Sequence, residues 1–209
     1  MSSGIWIRPG RRAMNKDQCD LVTRIAGIIL AGGASRRFGT DKAATLIDDR
    51  PMIAHVAGRL SSQVEALAIA GADQTYSLAC PLLEDGAHAT KGPLAGLAAG
   101  LIWALENNFS HVVTAPCDLP LLPRNLVRLL STQEQTSPAV LKTSHGIEAA
   151  CAMWPISVFP IVEERLKVGK SLSMRGLLEA AGASAIQVHD DDLDGSFINI
   201  NAPDDLAQL

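Results

Sequence analysis

The chain has 209 residues, a net charge of −4 and 47% hydrophobic residues. This length suits one compact domain with a small extension, and the hydrophobic fraction excludes a globally disordered chain. The acidic balance argues against a nucleic-acid-binding protein, which usually has a basic face, and no apolar run reaches the length of a membrane span.

The first residues differ from the rest of the chain. Residues 1–24 carry several arginines but lack the apolar core of a secretory signal, so we expect a flexible extension before a domain over residues 25–209. Met14 is an alternative start within it. The cysteines lie far apart and form no Cys-x-x-Cys pair. Without an export signal, we expect buried, reduced thiols in a cytoplasmic protein, rather than disulfides or a zinc site.

Strand and helix patterns alternate through the first two thirds of the chain. In chain order, they predict a strand over residues 25–30, a helix over 51–60, strands over 66–70 and 82–84, a helix over 93–107, a strand over 111–115 and a helix over 123–130. This alternation predicts an α/β fold in which helices cover both faces of a mostly parallel sheet.

The last third is less regular and predicts a mixed C-terminal part of the sheet. The patterns predict strands over 139–141 and 149–154, helices over 156–166 and 171–181, short strands over 186–188 and 197–200, and a closing helix. Ser171 is the expected cap of the second of these helices, and Pro203 starts the closing helix. The acidic run at residues 190–194 is expected to be a solvated loop, because its spacing does not match a calcium-binding EF-hand.

A loop of small residues and cations follows the first strand. Its glycines and cations are Gly32, Gly33, Gly39, Arg36, Arg37 and Lys42. Glycines let the backbone approach a ligand closely, and exposed N–H groups beside cations bind phosphates. The Walker motif and the Gly-x-Gly-x-x-Gly dinucleotide motif are both absent. The alternative, a merely connecting loop, does not need adjacent glycines and three cations.

Two carboxylates follow later strands, at the edge where open α/β sheets bind ligands. Asp85 follows the short third strand, and Asp118 follows the fourth strand between the stiffening Pro116 and Pro120. A carboxylate beside a phosphate cradle suits Mg²⁺. The alternatives are a helix cap for Asp118 and an Asp-Gly turn for Asp85, and the latter is as well supported as a functional role.

Two amides near the end of the chain form another candidate site. On the strand predicted over residues 197–200, alternation places Asn199 and Asn201 on one face, where they can bind a ligand or complete a metal shell. Alternatively, they satisfy turn backbone before Pro203. His55, His88 and the remaining histidines suggest no catalytic pairing, and Cys117 is expected to be a packing residue, because its neighbouring carboxylate disfavours the thiolate.

Four segments, in this order, resemble the molybdenum cofactor guanylyltransferase (MobA) family. They are Leu-Ala-Gly-Gly-x-x-x-Arg-Phe-Gly-x-Asp-Lys at 30–42, Gly-Pro-Leu-Ala-Gly at 92–96, Pro-Cys-Asp-x-Pro at 116–120 and Asn-Ile-Asn-x-Pro at 199–203. The first segment is shared with many sugar-nucleotide transferases, whereas the combination is much more specific. The resemblance implies a single Rossmann-like, three-layer nucleotidyltransferase domain.

The resemblance also implies a reaction, in which GMP from GTP joins the terminal phosphate of molybdopterin and pyrophosphate leaves. By similarity, the nucleotide contacts are Leu30, Ala31, Gly32, Gly33, Gly39, Lys42, Asp85 and Asp118. Arg37 and Lys42 would hold the triphosphate, and Asp118 would bind Mg²⁺. Asn199 and Asn201 would lie near the pterin-side substrate or the metal. Transient contacts with other proteins of the cofactor pathway are compatible with this role.

The sequence departs from the family pattern at several positions. Residues 70–72 read Ala-Gly-Ala where the family often has Asn, Ala202 replaces a usual Thr, and a family Pro is missing near Glu148. Three alternatives therefore stay open: a cytidylyltransferase acting on the same cofactor, a sugar-1-phosphate transferase and a non-catalytic nucleotide-binding regulator. The phosphate chemistry itself needs no general base, because a phosphate monoester is already ionised at neutral pH.

Overall fold

The computed structural model describes residues 23–32, 41–84, 92–131, 136–169, 172–201, 205 and 207. Its strands are β1 (Ile25–Leu30), β2 (Leu46–Ile47), β3 (Arg50–Pro51), β4 (Ala66–Ala70), β5 (Leu82–Leu83), β6 (His111–Pro116), β7 (Ala139–Thr143), β8 (Gly146–Pro155) and β9 (Ser184–Gln187). Its α-helices are α1 (Met52–Ser61), α2 (Pro93–Glu106), α3 (Leu126–Leu130), α4 (Phe159–Val168) and α5 (Met174–Ala180). Short 3₁₀ helices cover Lys42–Ala44, Ile156–Val158 and Asp190–Asp192.

Seven strands form one mixed sheet in the order β5-β4-β1-β6-β8-β7-β9. β5, β4, β1 and β6 pair in parallel, β8 runs antiparallel to both β6 and β7, and β9 pairs in parallel with β7. This arrangement confirms the predicted α/β class with a mostly parallel sheet and a mixed C-terminal part. The chain moves outward from β1 to β4 and β5 and then returns through α2 to β6. The carboxyl ends of β1 and β6 are therefore the switch point at which such sheets bind ligands.

The sheet separates two hydrophobic cores, which give the fold its three layers. One core packs α2, α4 and α5 against the sheet and includes Leu97, Leu101 and the fully buried Trp154. The other core packs α1 and α3 against the opposite face. Helix α2 approaches β1 so closely that a Cβ on Gly100 would lie 2.7 Å from Ile28 Cγ1. This close packing holds the central strand, and with it the switch point, in place.

Several predicted elements have different bounds. The helix predicted over 123–130 begins only at Leu126, because Arg124 N donates to Asp194 O (2.7 Å) instead of joining a helix. The helix predicted over 156–166 starts as a 3₁₀ turn and becomes α4 at Phe159, since Pro160 suits only a first helical turn. Helix α5 is capped by Ser173, whose hydroxyl accepts from Gly176 N at 3.1 Å. The expected cap, Ser171, lies outside the described residues.

The strand predicted over residues 197–200 is wrong. No strand is present there, because the backbone pairs with the loop after β6 rather than with a sheet edge: Ile200 N donates to Asp118 O (3.0 Å) and Ser196 N donates to Leu121 O (2.7 Å). The acidic run forms the exposed 3₁₀ helix Asp190–Asp192 instead of a loop. The sequence patterns also missed the β2–β3 hairpin. The closing helix lies largely outside the described residues, and so does the predicted N-terminal extension.

The described cysteines are all free, as expected. Cys117 and Cys151 are buried, whereas Cys80 is only partly buried. Burial raises the pKa of the Cys80 thiol to about 11. None of the helices in the described part of the chain is long and apolar enough to span a membrane.

Candidate active site

Backbone hydrogen bonds hold the ends of three parallel strands side by side. Ala31 N donates to Ala70 O (2.9 Å) at the end of β4, and Cys117 N, after β6, donates to Leu30 O (3.1 Å). Next to them, a Cβ on Gly32 would lie only 3.0 Å from the carbonyl oxygen of Gly71. The loops after β4, β1 and β6 therefore meet at one edge of the sheet, and Gly32 permits the close approach of two of them.

Lys42 reaches across this edge to the loop after β6. It begins the 3₁₀ helix Lys42–Ala44, whose N-cap Asp41 accepts a hydrogen bond from Ala43 N through Oδ1 at 3.1 Å. Lys42 Nζ donates to Asp118 Oδ2 at 2.7 Å and to Asn201 Oδ1 at 2.8 Å. The Lys42 and Asp118 side chains are only 15% and 20% exposed. Three candidate residues that are far apart in sequence thus converge in one site.

Asp118 is held by its backbone but keeps one carboxylate oxygen unsatisfied. Its carbonyl oxygen accepts from Ile200 N at 3.0 Å. Its Oδ1 is buried and has no hydrogen-bond donor among the described residues. The cap alternative for Asp118 is wrong, since α3 begins eight residues later at Leu126 after Asn125. A buried acceptor without a donor costs about 1–3 kcal/mol of stability. This oxygen therefore suits contact with a ligand better than a purely structural role.

The two amides have different environments. Asn201 contacts Lys42, and its backbone N–H donates to Asp205 Oδ2 at 2.6 Å. Asn199 is exposed, while Ile200 between them is buried. The predicted shared face depended on a strand that does not form. The segment instead runs beside the Asp118 loop, which still brings Asn201 into the site.

Some of the predicted nucleotide contacts lie at the carboxyl edge of the sheet, and others lie outside the described residues. The Leu30 side chain is 5% exposed and packs in the core, and its carbonyl already accepts from the backbone of Cys117. Leu30 therefore stabilises the carboxyl edge of the sheet. Ala31 is partly buried and Gly32 is exposed. The predicted site residues outside the described part of the chain are Gly33, Arg37, Gly39 and Asp85.

The residues around Lys42 and Asp118 disfavour the thiolate of Cys117 and offer a carboxylate oxygen that suits a magnesium ion. Burial, and then the neighbouring Asp118 carboxylate, raise the pKa of the Cys117 thiol to about 12. Within the described ranges, no group of three His, Cys, Asp or Glu side chains could cage a metal. Mg²⁺ needs no such cage, because it binds one or two carboxylates together with substrate phosphates and water. The unsatisfied Oδ1 of Asp118 is a carboxylate oxygen of the kind that such a site uses.

The sequence patterns missed a side chain that supports Asp41. Gln74 Nε2 donates to Asp41 Oδ2 at 3.1 Å. Gln74 lies in the loop after β4, where no motif pointed to it. A separate cavity of about 190 Å³ runs along α1 and is lined by Gly58, Leu67 and other residues that include none of the site residues.

Most of the sequence is similar to known nucleotide transferases. Residues 27–185 match the family model described as a MobA-like NTP transferase domain. A molybdenum cofactor guanylyltransferase from Cereibacter sphaeroides is 38% identical over 189 residues, which cover 88% of this chain and 95% of the relative. One from Acidiphilium cryptum is 34% identical over 188 residues, which cover 88% and 93%.

Solved structures share the fold at low sequence identity. Molybdopterin-guanine dinucleotide biosynthesis protein A from Archaeoglobus fulgidus aligns with a TM-score of 0.68 and 22% identity, covering 88% of this chain and 95% of that one. The 2-C-methyl-D-erythritol 4-phosphate cytidylyltransferase from Thermus thermophilus aligns with a TM-score of 0.61 and 17% identity, covering 87% and 95%. The fold is therefore Rossmann-like, as in other nucleotidyltransferases. The family model and the curated relatives show that the chain belongs to the MobA-like NTP transferase family.

Proposed function

We propose that this enzyme transfers GMP from GTP to the terminal phosphate of molybdopterin and releases pyrophosphate. The observation that carries the proposal is the meeting of Lys42 and Asp118 at the switch point, where Asp118 keeps a buried oxygen unsatisfied. A cation and a free carboxylate oxygen are what a metal-bound triphosphate requires. The substrates follow from the names of the curated relatives, which are molybdenum cofactor guanylyltransferases.

In this proposal, Lys42 binds the negatively charged phosphates and Asp118 binds the positively charged metal ion. The Lys42 ammonium moves from its carboxylate partner to the phosphate oxygens and holds the charge of the departing pyrophosphate. Asp118 would hold the metal through its carboxylate. A bound Mg²⁺ would neutralise developing charge on the phosphates and orient them. By family resemblance, Arg37 adds a second cation to the triphosphate, and Gly32 lets the backbone approach the nucleotide.

The proposed chemistry requires positioning more than proton transfer. The attacking phosphate monoester has a second pKa of about 6, so it is ionised at neutral pH without a general base. Two histidines are already engaged elsewhere: His55 Nε2 contacts Ile47 O at 2.9 Å, and His111 Nδ1 contacts Ser110 Oγ at 2.9 Å. The work left to the protein is in-line alignment and charge neutralisation.

The acceptor side of the proposed site lies beside the C-terminal segment. Asn201 touches Lys42, and the exposed Asn199 is available to the pterin-side substrate. The proposed reaction is placed in the cytoplasm, where thiols stay reduced, and the free cysteines described above support that placement.

The test is pyrophosphate release from each of the four ribonucleoside triphosphates, with molybdopterin present or absent and with Mg²⁺ or a chelator. We expect release only with GTP, molybdopterin and Mg²⁺ together. Faster release from CTP than from GTP would make the enzyme a cytidylyltransferase. GTP binding without any pyrophosphate release would support the non-catalytic regulator and reject the proposal.

A further inference from the structure

We propose that Asn125 is a positioning residue, which clamps the C-terminal segment (residues 192–201) onto the loop after β6 and so holds Asn201 against Lys42. The kinetic consequence rests on the function proposed above, whereas the structural consequence does not. Asn125 lies at the end of that loop, directly before α3, and belongs to none of the motifs found in the sequence.

The first step of the argument is the pair of hydrogen bonds that the Asn125 side chain makes. Its Nδ2 donates to the carbonyl oxygen of Asp192 at 2.7 Å, and its Oδ1 accepts from the backbone N–H of Asp194 at 3.0 Å. Beside it, Arg124 N donates to the carbonyl oxygen of Asp194 at 2.7 Å. Because the two bonds of Asn125 hold backbone groups on either side of residue 193, they fix both the position and the orientation of the segment.

The second step is the helix cap that the Asn125 side chain does not make. Asn125 is the N-cap residue of α3, a position at which asparagine usually accepts from the first turn, yet its side chain makes no cap hydrogen bond. Gln63, in the loop after α1, stabilises this end of the helix instead. Its Oε1 accepts from Val127 N at 3.0 Å, and its Nε2 donates to Pro123 O at 2.9 Å. The Asn125 side chain is therefore available to the C-terminal segment.

The third step is the close packing of the segment beyond these bonds. Gly195 has a φ of 142°, a conformation that favours glycine, and a Cβ on it would clash with Leu121 O and lie 2.9 Å from Pro123 Cα. The next residue, Ser196, donates its backbone N–H to Leu121 O at 2.7 Å. The segment thus lies directly on the backbone of the loop after β6, and glycine at position 195 permits this close approach.

The fourth step is the path from this packing to the charged pair. Further along the segment, Ile200 N donates to Asp118 O at 3.0 Å, and Asn201 Oδ1 accepts from Lys42 Nζ at 2.8 Å. Asn201 is exposed, so burial does not fix its amide. Its contact with Lys42 depends instead on the position of the backbone that carries it. The clamp at Asn125 fixes that backbone from the other end of the segment.

Asn125→Ala removes both bonds of the clamp. We expect kcat/KM for molybdopterin to fall about tenfold, because a single hydrogen bond contributes a factor of about two to ten and this variant loses two. The KM for GTP should stay unchanged, since Lys42 keeps Asp118 as a partner. Asn125→Ser should have the same kinetic effect, because serine is a good N-cap residue but is too short to reach both backbone groups.

Gln63→Ala is the matched control. It removes the side chain that stabilises the start of α3 but leaves both bonds of Asn125 in place, so it should lower the melting temperature and keep wild-type kinetics. Equal losses of kcat/KM in Gln63→Ala and Asn125→Ala would overturn the proposal, because they would reflect a general effect on α3.

A double-mutant cycle tests whether Asn125 acts through Asn201. The fold loss that Asn125→Ala causes in kcat/KM for molybdopterin should be smaller in an Asn201→Ala background than in wild type. Equal fold losses in the two backgrounds would overturn the positioning role.

A second readout does not depend on the reaction. Hydrogen exchange followed by mass spectrometry should show about tenfold faster exchange of residues 195–201 in both Asn125 variants, because the segment opens more often. The peptide that covers β1 should exchange at the wild-type rate. Unchanged exchange of residues 195–201 would overturn the clamp, and faster exchange with wild-type kinetics would overturn the positioning role. An inactive wild-type protein would reject the proposed function and leave the exchange test in force.

Discussion

Arg24 and Lys42 are cations at opposite edges of the parallel strands, and they are held in different ways. At the amino edge, Arg24 Nε donates to Glu65 Oε2 at 3.1 Å, and one of its terminal nitrogens donates to the carbonyls of Asn107 (3.1 Å) and Asn108 (3.0 Å). The same guanidinium lies 4.5 Å from the centre of the Phe109 ring. Arg24 therefore joins the start of β1 to the residue before β4, the C-terminal end of α2 and the loop before β6.

At the carboxyl edge, the Lys42 ammonium donates to two side-chain oxygens, and one of its partners keeps an oxygen without a hydrogen-bond donor. Asp118 uses Oδ2 for Lys42, while its buried Oδ1 has no donor among the described residues. This difference indicates different roles. The contacts of Arg24 stabilise the fold, whereas the Lys42–Asp118 pair still has an oxygen that can bind a ligand. Disruption of the two cations should therefore affect different measurements.

The largest effect is expected at the carboxyl edge. Lys42→Met should lower kcat/KM for GTP by about a hundredfold or more, because it removes the cation that neutralises the triphosphate. It should also lower the free energy of unfolding by about 1–3 kcal/mol, since Asp118 loses a charged hydrogen-bond partner. Steady-state kinetics and urea unfolding measure the two effects.

Lys42→Arg is the matched control for charge at this position. Its planar guanidinium keeps the charge but not the geometry of the ammonium, so we expect an activity between those of wild type and Lys42→Met. A Lys42→Met enzyme with kcat/KM within threefold of wild type would remove the distinction between the two edges.

The opposite result is expected at the amino edge. Arg24→Ala should lower the free energy of unfolding by about 1–2 kcal/mol, through lost hydrogen bonds and the contact with the Phe109 ring, and should leave kcat/KM unchanged. Arg24→Lys keeps the charge without the guanidinium fork and should recover only part of the stability. Loss of activity in Arg24→Ala at unchanged stability would contradict this assignment.

The smallest effect concerns Glu148 on β8 and depends on pH. Thr143 Oγ1 donates to its Oε1 at 2.9 Å, but burial dominates and raises the pKa of the carboxyl. Because the folded pKa lies above the unfolded one, the contribution of Glu148 to stability is present at low pH and is lost as pH rises through the folded pKa. Glu148→Gln should therefore gain in melting temperature relative to wild type between about pH 4 and pH 7. A difference in melting temperature between the two proteins that stays constant across this pH range would contradict the raised pKa of Glu148.

Two general patterns predicted the parts of the molecule that local sequence controls. They are the periodicity of apolar residues and the tendency of α/β sheets to bind ligands at the carboxyl ends of their strands. The predicted bounds of β1 and β4 match the structure, and Asp118 meets Lys42 because both follow the carboxyl ends of central strands. These features depend on local apolar patterns and on a general property of parallel sheets. They are therefore visible in a single sequence.

The missed features depend on contacts between segments far apart in the chain. Alternation over residues 197–200 suggested a strand, but no sequence pattern shows whether a sheet edge is available for it. The hydrogen bond from Gln74 to Asp41 comes from a loop with a left-handed turn at Tyr76 and Ser77, and no turn motif indicates that turn because it contains no glycine. In both places, the fold overrides the local pattern.

The most direct test of the central claim is the dependence of GTP binding on Mg²⁺, measured by calorimetry for wild type and Asp118→Asn. Wild type should bind GTP at least about tenfold more tightly with Mg²⁺ than with a chelator. Asp118→Asn, which keeps the shape of the side chain, should lose that gain while binding metal-free GTP at least as well as wild type does. An undiminished Mg²⁺ effect in Asp118→Asn would contradict the claim that this carboxylate and Lys42 form the triphosphate site.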